Sequence, residues 1–297
     1  MGVVAPASYF VREDFDAGCA ALREMGYEPA FNDSIFDRDL YFAGAAERRA
    51  RELEGMFARD DVKAILCARG GYGSNYLLPI LDIRKIVAHP KIFVGYSDLT
   101  SLMTHFYDAA GLVTFHGPMV AKDFAKTDGV GAASWKAALE TAGDPGFDFA
   151  CDSGAKALVQ GTAEGVLYGG CLSMLAASLG TPYEIHTAGT ILFIEDVATK
   201  PYQIDRMLMQ LKLAGKLSRV RGVIFGEMLA CEQPGGQSFT LEEIVMRIVG
   251  DMRFPIAYGL RSGHVSRANI TLPMGVNARL EASSSAVNLR ITESATI

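Results

Sequence analysis

The sequence predicts an α/β fold built on a parallel sheet. Through the first hundred residues, short apolar runs alternate with amphipathic stretches, the rhythm of strands followed by crossover helices. The runs themselves, such as Val62–Cys67, are short and apolar but for Lys63, with Val62 and Ile65 β-branched. Strands buried on both faces have that composition; half-exposed strands alternate apolar with polar.

Taken in order, Gly2–Ala5 reads as the first strand. Asp14 to Met25 carries Phe15, Cys19 and Leu22 at helical spacing, and Gly26 is placed to stop it. A second helix is expected from Ala45 to Phe57, with Leu53, Met56 and Phe57 on one face and Glu47, Arg48 and Arg51 left to water. Val62–Cys67 and Lys91–Gly95 are the next strands, and Leu99 to Tyr107 the helix after them. From Pro118 to Lys156 the pattern loosens into Gly, Asp, Ser and Pro, with the lone Trp135 on a short helix. Strands resume at Ile191–Ile194 and Val223–Phe225, helices at Ile204–Ala214 and Leu241–Val249, and a β segment closes the chain from Ile270 to Ile291. This divides the chain into residues 1–118, a linker or cover over 119–160, and a second domain over 161–297.

Composition narrows the function. The 297 residues are 49% hydrophobic and 21% charged, with a formal charge of −6. That length buries a sizeable core without disulfide or metal staples. No basic block stands out, so nucleic acid is not the expected partner. Cys19, Cys67, Cys151, Cys171 and Cys231 are scattered and odd in number, as reduced core thiols of a cytoplasmic protein would be. The N-terminus reads as a strand rather than a signal peptide. The uncharged stretch from Gly165 to Tyr183 reads as a buried strand and helix rather than a membrane span. The histidines lack zinc-site spacing and the cysteines do not cluster, so no metal and no cofactor is expected.

Two turns carry chemistry. Lys91-Ile92-Phe93-Val94-Gly95-Tyr96-Ser97-Asp98 is a strand, a sharp turn and a helix start. A serine there projects its hydroxyl from the carboxyl edge of the sheet, and the next N–H can bind an oxyanion. Leu99 stands where the second glycine of a G-x-S-x-G elbow would be, and Ser97 or Asp98 could simply cap the helix. The second turn, Arg69-Gly70-Gly71-Tyr72-Gly73, also follows a strand. Its glycines let backbone N–H groups approach a ligand or an oxyanion closely; a phosphate cradle and a plain tight turn are the alternatives.

Serine at neutral pH needs a base, most often a histidine steered by a carboxylate. His89 and His105 read as surface or packing residues. His116, His186 and His264 stay open, His264 because a glycine-flanked position after a strand can point into a cleft. Glu195 and Asp196 end an apolar strand, which is costly unless the acids are paired or solvated. The alternative is that they cap the region of the following helix.

Together these segments resemble the LD-carboxypeptidase family of serine peptidases, which includes the microcin C immunity peptidases. The matching pieces are Val3-Val4-Ala5-Pro6-Ala7-Ser8, Arg69-Gly70-Gly71-Tyr72-Gly73, Gly95-Tyr96-Ser97-Asp98 and Phe115-His116-Gly117-Pro118. In the second half they are Gly169-Gly170-Cys171-Leu172, Phe193-Ile194-Glu195-Asp196, Tyr202-Gln203-Ile204-Asp205-Arg206, and Gly263-His264 followed by Thr271-Leu272-Pro273-Met274-Gly275. The resemblance implies a Rossmann-like N-terminal half and a C-terminal half with a barrel-like or swivelling sheet. It implies Ser97 as nucleophile, Glu195 as orienter and His264 as base, with Gly71 and Asp98 donating the oxyanion-hole N–H groups. It further implies release of terminal D-alanine from a murein tetrapeptide, and homodimers are common in the family. Such selectivity needs a group for the free carboxylate, and Arg69 beside the glycine turn is the candidate. A peptidyl-aminoacyl nucleotide substrate of the microcin type and a non-catalytic phosphate-ligand binding module are the rival expectations.

Overall fold

The computed structural model describes residues 1–140, 148–150, 154–232 and 238–296. Cys151, and residues 233–237 within the loop from Ala230 to Ser238, lie outside the described residues. The chain divides into two units: Met1–Leu139 with Arg267–Leu272, and Glu140–Ser266 with Pro273–Ile297.

In the first unit β1 (Gly2–Val4), β2 (Ala64–Cys67), β3 (Ile92–Gly95) and β4 (Thr114–His116) lie side by side, all parallel, in chain order. The strand Leu272–Met274, which begins in the returning segment, joins beside β4. The apolar runs are strands because both faces are covered: every residue of β1, β2 and β4 is buried. Helices α1 (Arg12–Glu24), α2 (Ala46–Ala58), α3 (Ile83–Ala88), α4 (Thr100–Ala110) and α5 (Ala132–Glu140) supply most of that cover. Phe57 of α2, Phe93 of β3 and Phe106 of α4 pack with ring centroids 5.2 to 6.2 Å apart. Each ring contributes about 2–3 kcal/mol by burial.

Trp135 on α5 is wholly buried, its ring edge-on to Phe124 at 5.1 Å and its indole N–H donating to the Tyr27 hydroxyl at 3.0 Å. The segment after Pro118 therefore contributes core to this unit.

The second unit is an eight-stranded sheet. Its strands are β5 (Asp148–Ala150), β6 (Lys156–Val159), β7 (Gly161–Cys171), β8 (Thr190–Glu195), β9 (Gly222–Gly226), β10 (Ile256–Leu260), β12 (Asn277–Ala282) and β13 (Val287–Ile291), with β11 being Leu272–Met274 of the other sheet. The order is β5-β13-β12-β7-β8-β9-β10-β6, so two strands consecutive in sequence occupy opposite edges. Laid flat, eight strands would span about 34 Å. The short connection between β5 and β6 reaches at most about 22 Å. The sheet must therefore curl, and contact between β6 and β12 shows that it does. The run β7-β8-β9-β10 is parallel. Helices α6 (Leu172–Ala177), α7 (Pro201–Leu213) and α8 (Leu241–Val249) pack in sequence-adjacent pairs. Thr240 opens α8 with a capping box, its hydroxyl accepting from the Glu243 N–H and Glu243 accepting from the Thr240 N–H.

Among the described residues no helix is long and apolar enough to cross a membrane. No group of His, Cys, Asp and Glu among them could hold a metal ion.

Candidate active site

In the first unit the candidate residues Ser97, Gly71 and Asp98 sit where β2 and β3 end, the carboxyl edge at which open parallel sheets bind ligands. Ser97 follows β3 and is half-buried, with φ +66°. A non-glycine residue in this left-handed region costs about 1–2 kcal/mol, so the surroundings hold it there. Neither Ser97 nor Asp98 caps a helix: the turn Ser97–Leu99 and helix α4 start without side-chain caps. The capping alternative is removed, and the strained serine remains.

The glycine turn after β2 lies against it. A Cβ on Gly70 would stand 2.9 Å from the Ser97 Cβ and 3.2 Å from its Oγ, so only glycine leaves room for the serine. Gly71 has φ +103°, and a Cβ there would meet the Ser8 Oγ at 2.5 Å. Ser8, just past β1, donates its N–H to the Gly70 carbonyl at 3.2 Å and accepts from the Tyr72 N–H at 3.0 Å. Buried Arg49 of α2 holds the same region: its guanidinium donates to the carbonyls of Gly44 (3.0 Å), Gly73 (2.8 Å) and Pro6. Burial pulls its pKa down.

Tyr96, buried beside the serine, donates its hydroxyl to Asp123 Oδ1 at 3.3 Å, and Asp123 Oδ2 accepts from the Met119 N–H at 3.0 Å. Burial raises the Asp123 carboxyl above its ordinary range, opposed by the Met119 N–H, the Lys122 charge, the Tyr96 hydroxyl and the Lys126 charge. His116 ends β4, fully buried, its ring 5.8 Å from that of Tyr96. Arg69 is exposed and donates to the Tyr9 carbonyl at 3.0 Å, which leaves it accessible to a ligand carboxylate.

The second unit repeats the placement: the carboxyl ends of β8, β9 and β10 carry its polar groups. Glu195, the last residue of β8, is fully buried, and its Oε2 lies 2.7 Å from His264 Nδ1. The same oxygen accepts the His264 backbone N–H at 3.1 Å. His264 follows β10, whose register shifts between Tyr258 and Leu260. Such bulges re-aim the chain beyond them. A Cβ on Gly226 of β9 would lie 2.6 Å from the Glu195 Cβ, so the neighbouring strand is cut back to admit the glutamate.

The two strand-end acids have separate roles. Asp196 accepts from the Ser173 N–H (2.9 Å) and hydroxyl (2.7 Å) at the start of α6, and from the Val197 N–H and Thr199 hydroxyl at 2.8 Å each. It holds the backbone, at α6 rather than at the helix that follows it in sequence. Glu195 is the acid that meets the histidine.

No motif marks Glu227 or Ser266 in the sequence. Glu227, directly after β9, accepts from both the Ser266 N–H (3.0 Å) and its hydroxyl, anchoring the segment two residues beyond His264. His89 and His186 are exposed, and His105 lies on α4 with its pKa lowered by burial.

One unit thus offers a histidine with one ring nitrogen held by a buried carboxylate, and the other a serine strained at a strand–helix turn, groups of the kind a serine hydrolase uses. Comparison with known proteins shows the family. The profile of the LD-carboxypeptidase N-terminal domain matches residues 1–117, and that of its C-terminal domain residues 164–280. A probable murein peptide carboxypeptidase of Bacillus subtilis is 39% identical over 284 residues, covering 94% of this chain and 88% of that protein.

The chain belongs to the LD-carboxypeptidase family.

It is a serine-type carboxypeptidase, a hydrolase with LD-carboxypeptidase activity. The crystal structure of a muramoyltetrapeptide carboxypeptidase from Oxalobacter formigenes superposes with a TM-score of 0.87 at 29% identity, covering 98% of each chain. The microcin C7 self-immunity protein MccF of Escherichia coli is 27% identical over 97% of this chain and 91% of that protein. Its apo structure shares the fold, with a TM-score of 0.92 over all of this chain and 96% of the other at 24% identity. The α/β reading with a parallel sheet followed by a curled β-rich half is thus the fold of this family.

Proposed function

We propose that this LD-carboxypeptidase releases terminal D-alanine from murein tetrapeptides through an acyl-enzyme on Ser97, with Glu195 and His264 as orienter and base. The observation that carries this reading is the Glu195–His264 pair. One carboxylate oxygen receives both the ring and the backbone N–H of a single histidine. That fixes the tautomer with the proton on Nδ1 and leaves Nε2 to take a proton.

In this reaction His264 Nε2 accepts the Ser97 proton as Oγ attacks the scissile carbonyl. The N–H groups of Asp98 and Gly71 receive the developing oxyanion, and the protonated histidine then delivers its proton to the leaving D-alanine nitrogen. Water, deprotonated by the same histidine, cleaves the ester and returns the proton to Ser97. Arg69 receives the free carboxylate of the terminal residue. We assign the enzyme to the cytoplasm, acting on recycled wall peptides, as a homodimer.

The murein substrate is supported by the Bacillus subtilis relative at 39% identity and by the Oxalobacter formigenes enzyme. Likeness to MccF favours the second reading, hydrolysis of a peptidyl-aminoacyl nucleotide. Against that reading, Trp135 is sealed in the core and offers no face to a base.

The test measures D-alanine release from L-Ala-γ-D-Glu-meso-diaminopimelate-D-Ala by wild type and a folded Ser97→Ala variant. Turnover lost in the variant is the expected result. Equal turnover would remove Ser97 from the reaction. Hydrolysis of a peptidyl-aminoacyl nucleotide without release of D-alanine would replace the substrate.

A further inference from the structure

Asp98 and Ser74 are both buried, at 1% and 0% exposure, and they hold each other twice. The Ser74 N–H donates to Asp98 Oδ2 at 2.7 Å, and the Ser74 hydroxyl donates to the Asp98 carbonyl at 2.6 Å. The pair thus ties the end of the glycine turn after β2 to the residue that follows the nucleophile after β3. At its other end Gly70 leaves the space that Ser97 occupies, and in between the Tyr72 N–H is held by Ser8. Arg49 fixes the Gly73 carbonyl between them.

Gly71 and Asp98 are the residues assigned above to the oxyanion hole, and they sit on two different loops. A hole made from two loops stabilises charge only if the distance between its donors is set before reaction; donors that must reorganise lose much of their worth. We propose that the doubly bonded Asp98–Ser74 pair is the device that sets this distance, making Ser74 and the Asp98 carboxylate positioning residues for the oxyanion hole. The inference rests on the assignment of Ser97, Gly71 and Asp98 under the proposed function.

Burial raises the Asp98 carboxyl above its ordinary range, against hydrogen bonds from Ser74 and Gly73 and the charge of Arg49. Loss of the pair leaves the donors in place but free to drift, and displacement by about 1 Å at a reacting centre costs up to about a hundredfold in rate.

The experiment compares wild type, Ser74→Ala, Asp98→Ala, Asp98→Asn and Ser97→Ala on the murein tetrapeptide. It also measures inhibition by the corresponding tripeptide aldehyde, whose carbonyl adds to the serine as a tetrahedral adduct. Ser74→Ala and Asp98→Ala are expected to lower kcat about tenfold to a hundredfold with KM within about twofold. Affinity for the aldehyde is expected to fall by the same factor as kcat/KM. Asp98→Asn keeps an oxygen for the Ser74 N–H and should lose less than Asp98→Ala, which also covers the case in which one alanine variant does not fold.

Wild-type kcat in Ser74→Ala, or a lowered kcat with unchanged aldehyde affinity, would overturn the positioning role while an inactive Ser97→Ala left the nucleophile standing. Turnover by Ser97→Ala would overturn both.

Discussion

One oxygen of Glu195, Oε2, binds His264 twice: 2.7 Å to Nδ1 and 3.1 Å to the backbone N–H. The glutamate thereby fixes where the histidine's backbone turns as well as how its ring is rotated. Replacing Glu195 with glutamine preserves size but removes the charge and presents an amide that can pair with the wrong tautomer. We expect Glu195→Gln to fold and to lower kcat by about 10³–10⁴-fold. Steady-state kinetics with D-alanine detection would check this, and a loss under tenfold would remove Glu195 as the orienter.

Gly70 tests the fit around Ser97, the proposed nucleophile. Its φ lies outside the left-handed region, so alanine meets no backbone strain, yet the added methyl would stand 2.9 Å from the Ser97 Cβ. Gly70→Ala should keep a melting temperature within a few degrees of wild type and lose about a hundredfold or more in kcat/KM. Labelling by a fluorophosphonate probe should slow in parallel. An active Gly70→Ala enzyme would mean that the serine tolerates displacement.

Asp123 makes a prediction about pH and stability. Burial raises its carboxyl above the ordinary value of 3.8, so between that value and its native pKa the folded chain holds a proton the unfolded chain has lost. Its contribution to stability is full below the ordinary carboxylate pKa and is lost as pH rises through the raised one. Asp123→Asn removes this dependence. Urea midpoints across pH 4 to 7 should fall less with rising pH in the variant than in wild type, and identical slopes would show that Asp123 ionises normally.

The thiols should be inert. Cys19, Cys67, Cys171 and Cys231 are all buried. Burial pushes Cys19 and Cys231 up to about 11 and the other two well above their ordinary value. At pH 8 a thiol of pKa 11 is about one-thousandth thiolate. Iodoacetamide should therefore leave these four unmodified in native protein, as read by peptide mass spectrometry, and label them after denaturation in guanidinium. Rapid native labelling of Cys67 or Cys171 would contradict their burial.

The residues alone marked the central strands, because an unbroken apolar run such as Ala64-Ile65-Leu66-Cys67 has nowhere to sit except inside a sheet covered on both faces. They also marked the turns that matter, since Arg69-Gly70-Gly71-Tyr72-Gly73 and Gly95-Tyr96-Ser97-Asp98 break apolar runs with residues suited to tight or strained backbone. The family, and the positions of Ser97, Glu195 and His264 as candidates, were legible at that level. What the run of residues left open was pairing. Glu195 and Asp196 are adjacent acids with equal claims by composition; which one meets a histidine depends on β8 ending beside the segment after β10, 69 residues on. The contact of Gly70 with Ser97, the Asp98–Ser74 pair and the Glu227–Ser266 anchor are likewise long-range. Strand order and the curl that brings β6 toward β12 are decided there too. Local periodicity reports which face of an element is buried, but only the packed sheet decides which strand ends become neighbours, as the ends of β8 and β10 do for Glu195 and His264.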